Sequence, residues 1–203
     1  MAKTVEQFIQ KLEEVIKEFK GTKTSKVQCK AEIGNKFELL GLTWKVIDIT
    51  EKGCMCLAEK LEKEMKFDSS SNDWKTSDLR KYLNEDFYEK LAKEVGEENI
   101  VPFERDLLSL DGQTEYGTCE DKVSLLTFDE YRKYRKEIPN TKDYWWWLIT
   151  PDSTKCNGDE TWVCVVASSG VVGDDLCSSI DGVRPFCIFS SSIFESEGCA
   201  YEE

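Results

Sequence analysis

An α+β fold built on antiparallel sheets is what this sequence predicts, and three observations predict it. Between Val27 and Lys60 the apolar residues fall in short runs of period two, Phe37–Leu40, Thr43–Ile49 and Cys54–Glu59. Gly34-Asn35, Gly41 and Glu51-Lys52-Gly53 break them, which is the pattern of a β-meander. Two later stretches switch to the helical period, and a long final segment returns to strands separated by irregular loops. Helices interrupting an antiparallel sheet define the class.

The first 22 residues read as an amphipathic helix: Val5, Phe8, Leu12, Val15 and Phe19 recur at three-four spacing, Ile9 and Ile16 widen the stripe, and Gly21 ends it. Such a helix packs on its own domain or joins copies into a homo-oligomer; only about two heptads are present, which favours packing. Residues 23–195 are assigned to one domain and 196–203 to an acidic tail. After the meander, Ser69–Asn72 forms a polar loop before Trp74, and Ser77 caps a helix from Asp78 to about Val95. That helix turns Leu79, Tyr82, Leu83, Phe87 and Leu91 inward and stops at Gly96. Ile100–Leu110 is a mixed stretch carrying Arg105 and Asp106, followed by a turn at Asp111-Gly112 and an acidic loop through Tyr116–Cys119. Val123–Leu126 reads as a short strand, and Thr127 with Glu130 makes a capping box for a second main helix, Phe128–Ile138, ended by Pro139-Asn140. Beyond Phe189 only Ile193 and Phe194 are apolar enough to dock.

The chain is organised around Asp143–Phe189. Three consecutive tryptophans, Trp145–Trp147, cannot all point one way along a strand, so at least one is core. Thr161–Ser168 sets Trp162, Cys164 and Val166 against Thr161, Val163 and Val165; apolar on both faces, it reads as an inner strand. Ser168-Ser169-Gly170 turns the chain and Val171-Val172 begins a return strand. Asp174–Asp181 shows no period and reads as a polar loop, while Val183–Phe189 reads as a further strand carrying Arg184. A part-buried guanidinium there calls for a carboxylate or carbonyl partner, a structural ion pair by default.

Charge and composition exclude several functions. With 27 basic and 40 acidic residues the net charge is −13, the wrong sign for a nucleic-acid partner. No apolar run reaches spanning length, so no membrane insertion is expected, and the N-terminus has no signal-peptide core, which predicts synthesis in the cytoplasm. There is no histidine, hence no Ser-His-Asp or Cys-His arrangement. Nine cysteines include one close pair, Cys54 and Cys56, and no Cys-x-x-Cys, so free thiols are expected and neither metal nor cofactor. Asn157, Asp159 and Glu160 are the best calcium-like group, with a solvated acidic loop the stronger reading.

The ordered set LLGLTWKVIDI, WKTSDLRKYLNEDF, DKVSLLTFDEYRKY, WWWLITP and GVRPFCIF resembles C-type-lectin-fold domains of unknown function from gut bacteria and their phages, over about Val27 to Phe194. That group includes the variable proteins of diversity-generating retroelements, in which error-prone copying at adenines diversifies a ligand-binding face of the last strands and loops. The resemblance implies a C-type-lectin-like fold and a non-enzymatic protein that recognises a protein or cell-surface ligand and can ride on a virion or cell surface. An Asn codon AAC altered only at its adenines yields Asp, Ser, Cys, Ile and Leu, the residue types that crowd Asp174–Asp181. The expected ligand-binding set is therefore Asp152, Asp174, Leu176, Cys177, Ser178, Ser179, Ile180 and Asp181, with one of the tryptophans as an aromatic anchor. Trp146, Trp147 and Arg184 are assigned to the scaffold. Two alternatives stay open: a structural phage or surface component, and an enzyme resembling formylglycine-generating cysteine oxidases, with Cys177 and Cys187 as the cysteine pair.

Overall fold

The computed structural model describes residues 31–59 and 63–194. The expected helix over residues 1–22, with its oligomerising role, and the acidic tail lie outside them. The class is α+β, with antiparallel pairing throughout apart from one short parallel contact. The meander forms as expected: β1 (Lys36–Leu39), β2 (Leu42–Thr50) and β3 (Gly53–Ala58) pair in sequence. Gly53, at φ 144°, sits where an added Cβ would lie 2.3 Å from the Phe189 carbonyl oxygen, so only glycine lets the last strand close on β3.

The remaining strands are β4 (Glu64–Met65), β5 (Ile100–Val101), β6 (Phe103–Asp106), β7 (Thr118–Asp121), β8 (Trp146–Pro151), β9 (Trp162–Val166), β10 (Val172–Leu176), β11 (Asp181–Gly182) and β12 (Phe186–Phe189). One five-stranded sheet has the order β1-β2-β3-β12-β5, a second β10-β9-β8-β11-β4, and β6-β7 is a separate two-stranded ribbon. The final strand thus lies at the heart of the first sheet, Cys187 opposite Cys56 and Phe189 opposite Cys54. The parallel contact is Gly182 of β11 against Trp146 of β8.

Among the described residues there is one main helix, α1, instead of two. It is α-helical over Asp78–Tyr82, π-helical over Leu83–Phe87 and α-helical again over Tyr88–Val95. Ser77 caps it by accepting from the Arg80 N–H, and Gly96 ends it at φ 87°. The π turn has a reason in the sequence. Leu79, Leu83, Phe87 and Leu91 are all buried and four residues apart, and in a 3.6-residue helix that spacing drifts about 40° per step. A wider π turn brings them back to one face. The second helix, α2, covers only Phe128–Lys133; its capping box forms as expected, but the chain leaves the helix in a turn well before Ile138. The strand expected at Val123–Leu126 is reduced to a single bridge, Ser124 to Phe186.

Alternation along β8 and β9 divides the interior into two cores. Trp147, Ile149, Val163 and Val165 join Trp44, Phe189 and the inner face of α1 in one. Trp146, Leu148, Cys164 and Val166 join Ile47, Phe186 and the α2 region in the other. Trp146 and Trp147 are 1 % and 0 % exposed, whereas Trp145 is 45 % exposed, so two of the three tryptophans are core.

Arg184 departs from the expected ion pair. It is fully buried, its Nε donates to the Ala58 carbonyl at 2.9 Å, and its guanidinium lies 4.7 Å over the Trp146 ring. Neither terminal nitrogen has a hydrogen-bond partner among the described residues, and burial pulls its pKa down to about 10. The strand it was expected to share begins only at Phe186, so the guanidinium leaves the chain from a buried non-strand segment that faces main chain and an aromatic ring.

Candidate functional site

The run Asp174–Asp181 is not one loop. Asp174, Asp175 and Leu176 complete β10, and Asp181 opens β11, leaving Cys177–Ile180 as the turn between them. The polar composition hid a strand because β10 is a sheet edge, where acidic side chains are tolerated and one neighbour supplies the whole ladder. That neighbour is β9, in the register Val172 to Val166, Asp174 to Cys164 and Leu176 to Trp162.

Directly opposed residues of antiparallel strands share a face. Leu176 and Trp162 form such a pair, and both are partly open to solvent, at 38 % and 37 %. Asp152 continues the row, its N–H donating to the Trp162 carbonyl at 3.0 Å. Two residues along, on the same face, Asp174 lies opposite the buried Cys164. Burial first, and then the Asp152 and Asp174 carboxylates, push that thiol up to about 12. Asp152 is itself raised, by partial burial first and then by Asp174, Asp159 and Asp111. Neither Asp152 nor Asp174 is in an ion pair among the described residues. The result is an exposed aromatic–aliphatic shelf flanked by two unpaired carboxylates.

The turn is held by its backbone. The Cys177 N–H donates to the Thr161 carbonyl at 2.7 Å, and the Cys177 carbonyl accepts from the Asp68 N–H at 3.0 Å. Asp175 Oδ1 accepts from the Leu176 N–H at 2.7 Å and the Ser179 hydroxyl at 2.8 Å. Clamped in this way, the turn projects Ser178 and Ile180, the latter 64 % exposed, into solvent. Asp181 is half-buried with Oδ2 unpartnered; burial, then Asp175 and Glu64, raises it to about 6. The Gly182 N–H bonds the Trp145 carbonyl at 2.9 Å, which places that exposed tryptophan where the turn enters β11, at the end of the β8–β9 ladder opposite to Trp162.

The expected set is therefore brought together, with three refinements. Cys177 is 2 % exposed and belongs to the core, so it offers nothing to a ligand. Asp175, outside the set, organises the turn. Trp162, a strand residue by its period, owes its exposure to its place at the open end of β9, which period alone does not disclose.

The other chemical candidates are weaker. All seven described cysteines are free, and burial raises the thiols of both Cys177 and Cys187. Asn157 donates to Asp111 at 3.1 Å and Asp159 accepts from Thr161 at 3.3 Å. No group of three metal-ligating side chains occurs among the described residues.

Fold and site together define an α+β protein of antiparallel sheets that exposes a shelf of mixed apolar and acidic character beside a backbone-clamped turn. The chain matches the family described as domain of unknown function DUF6273 over residues 51–133 and again over 107–191, and it belongs to that family. No curated protein and no solved structure matches it. No helix among the described residues is long and apolar enough to cross a membrane.

Proposed function

We propose that this chain is a ligand-recognition protein: a C-type-lectin-like scaffold whose β9–β10 face and following turn form a diversified binding surface, as in the variable protein of a diversity-generating retroelement. One observation carries the reading. The backbone from Asp174 to Asp181 is fixed by the β9 ladder and by the clamps on Cys177, while the side chains of Asp174, Leu176, Ser178 and Ile180 leave the core. A diversified surface needs that combination, because side chains then change without cost to the fold. Trp162 and Trp145 supply aromatic anchors of the kind that dominate binding energy. Both thiols of the cysteine-oxidase alternative are raised by burial, opposite to what a reactive cysteine requires, and this favours recognition over catalysis.

The test is genetic. DNA flanking the gene is read for a near-copy of the segment encoding Trp145–Phe189 that differs only at adenines, beside a reverse-transcriptase gene. Mismatches at the codons for Asp174, Leu176, Ser178 and Ile180, with Trp146, Trp147, Cys177 and Arg184 unchanged, are the expected result. A near-copy whose mismatches fall on the scaffold codons, or no near-copy at all, overturns the diversified surface.

A further inference from the structure

The β6–β7 ribbon is joined to neither five-stranded sheet, so β6 has one edge without a strand partner among the described residues. The Leu107 N–H bonds the Gly117 carbonyl at 3.0 Å, which makes that pair a hydrogen-bonded one. Alternation along an antiparallel ladder then turns the main-chain groups of Phe103 and Arg105 toward β7 and those of Glu104 and Asp106 toward the open edge. Among the described residues nothing takes up those N–H and C=O groups.

The open edge borders a cleft of about 430 Å³, with β6 and the segment to Gly112 on one side and α2 on the other. Its width is fixed. Arg105, 2 % exposed, bridges strand to helix through a two-bond pair with Glu130, Nη1 to Oε1 at 2.8 Å and Nη2 to Oε2 at 2.6 Å. Phe128 lines the cleft, and Leu108 and Leu110 stand in it 40 % and 47 % exposed. Arg132 is neutralised by Asp129. Among the described residues Glu104 and Asp106 are in no ion pair, and Glu104 lies directly opposite Glu120, a like-charge pairing that costs stability.

Acidic side chains alone serve to protect an edge strand from aggregation. An edge that also carries exposed leucines and faces a helix across a fixed cleft has the form of a strand-addition site, in which main-chain bonds supply affinity and alternate side chains supply selectivity. We propose that the outer edge of β6 binds an extended segment of a partner protein in which lysine or arginine alternates with aliphatic residues. The cations meet Glu104 and Asp106 and relieve the Glu104–Glu120 repulsion. The aliphatic side chains pack on Leu108, Leu110 and Phe128. A second copy of this chain is the poorer occupant, since it would set its own Glu104 and Asp106 against the same residues.

The test follows main-chain amides of the full chain, labelled with ¹⁵N, while acetyl-Lys-Leu-Lys-Leu-amide is added. Expected are downfield shifts and slowed exchange at Glu104 and Asp106, and loss of both effects with an N-methylated main chain or with glutamate replacing lysine. The double variant Glu104→Gln, Asp106→Asn should weaken binding by at least about tenfold while its melting temperature does not fall, since the Glu104–Glu120 repulsion is removed. Three results overturn the proposal: no shift between residues 104 and 110, equal binding by either control peptide, or shifts at these amides that follow protein concentration without any peptide.

Discussion

The indole N–H of Trp74 donates to Asp121 Oδ2 at 2.7 Å, and the other oxygen of that carboxylate accepts from Arg80 Nε at 2.6 Å. Trp74 is buried just before α1, Arg80 sits in its first turn, and Asp121 ends β7 with a fully buried side chain. One carboxylate therefore ties the β6–β7 ribbon to the main helix. Asp121→Ala leaves a buried indole N–H and the Arg80 Nε–H without acceptors, while the terminal guanidinium nitrogens keep the Lys75 and Glu120 carbonyls, and we expect a loss of about 2–4 kcal/mol in urea unfolding. Asp121→Asn keeps an acceptor for the indole and should lose less. An alanine variant within about 0.5 kcal/mol of the parent would mean that the ribbon is held elsewhere.

Arg184 and Trp146 make a different kind of contact, a guanidinium on a ring face with two nitrogens unpaired. Its packing stabilises the core, while its desolvated charge works against the fold. Arg184→Met keeps most of the volume and removes the charge, so it should stay within about 1 kcal/mol of the parent. Arg184→Ala opens a cavity beneath Trp146 and should cost about 2–4 kcal/mol. Equal losses in the two variants, measured by chemical denaturation, would show that the charge itself is needed.

What was legible in the sequence was local or periodic. The opposite burial of Trp146 and Trp147 follows from strand alternation, the capping box from Thr127 and Glu130 three residues apart, and the end of α1 from Gly96. The docking of Phe194 against the first core followed from its being one of only two large apolar residues in that segment. What was hidden depended on partners distant in the chain. Asp174–Leu176 is a strand only because β9 lies beside it. The carbonyl that Arg184 meets belongs to Ala58. Val123–Leu126 has the composition of a strand, yet only Ser124 finds a bridge partner, because β3 and β5 already flank β12. The expected binding residues cluster because they are close in sequence, but the exposure of Trp162 and the burial of Cys177 are tertiary facts.

Cys177 and Ile180 divide the turn into a fixed and a free part. Cys177→Asp places a carboxylate in the core beside Asp68, which already helps to raise the native thiol, and should lower the melting temperature severely. Ile180→Asp changes an exposed side chain and should move stability by no more than about 0.5 kcal/mol. Differential scanning calorimetry of the two variants decides the matter. Similar melting temperatures for both would remove the distinction between scaffold and display positions.

Asp181 gives the same region a pH dependence. Its Oδ2 is buried without a partner, and burial, Asp175 and Glu64 raise its pKa to about 6, against an unfolded value near 3.9. The folded state thus holds this proton more tightly than the unfolded chain. Its contribution to stability is complete below the unfolded value and is lost as pH rises through about 6. Above that, two carboxylates face each other across the turn whose Ser179 hydroxyl is bonded to Asp175. Asp181→Asn keeps the shape and removes the titration, so its melting temperature relative to the parent should rise between pH 5 and pH 7. A difference that stays flat across that interval would mean that Asp181 is already relieved of its neighbours' charge.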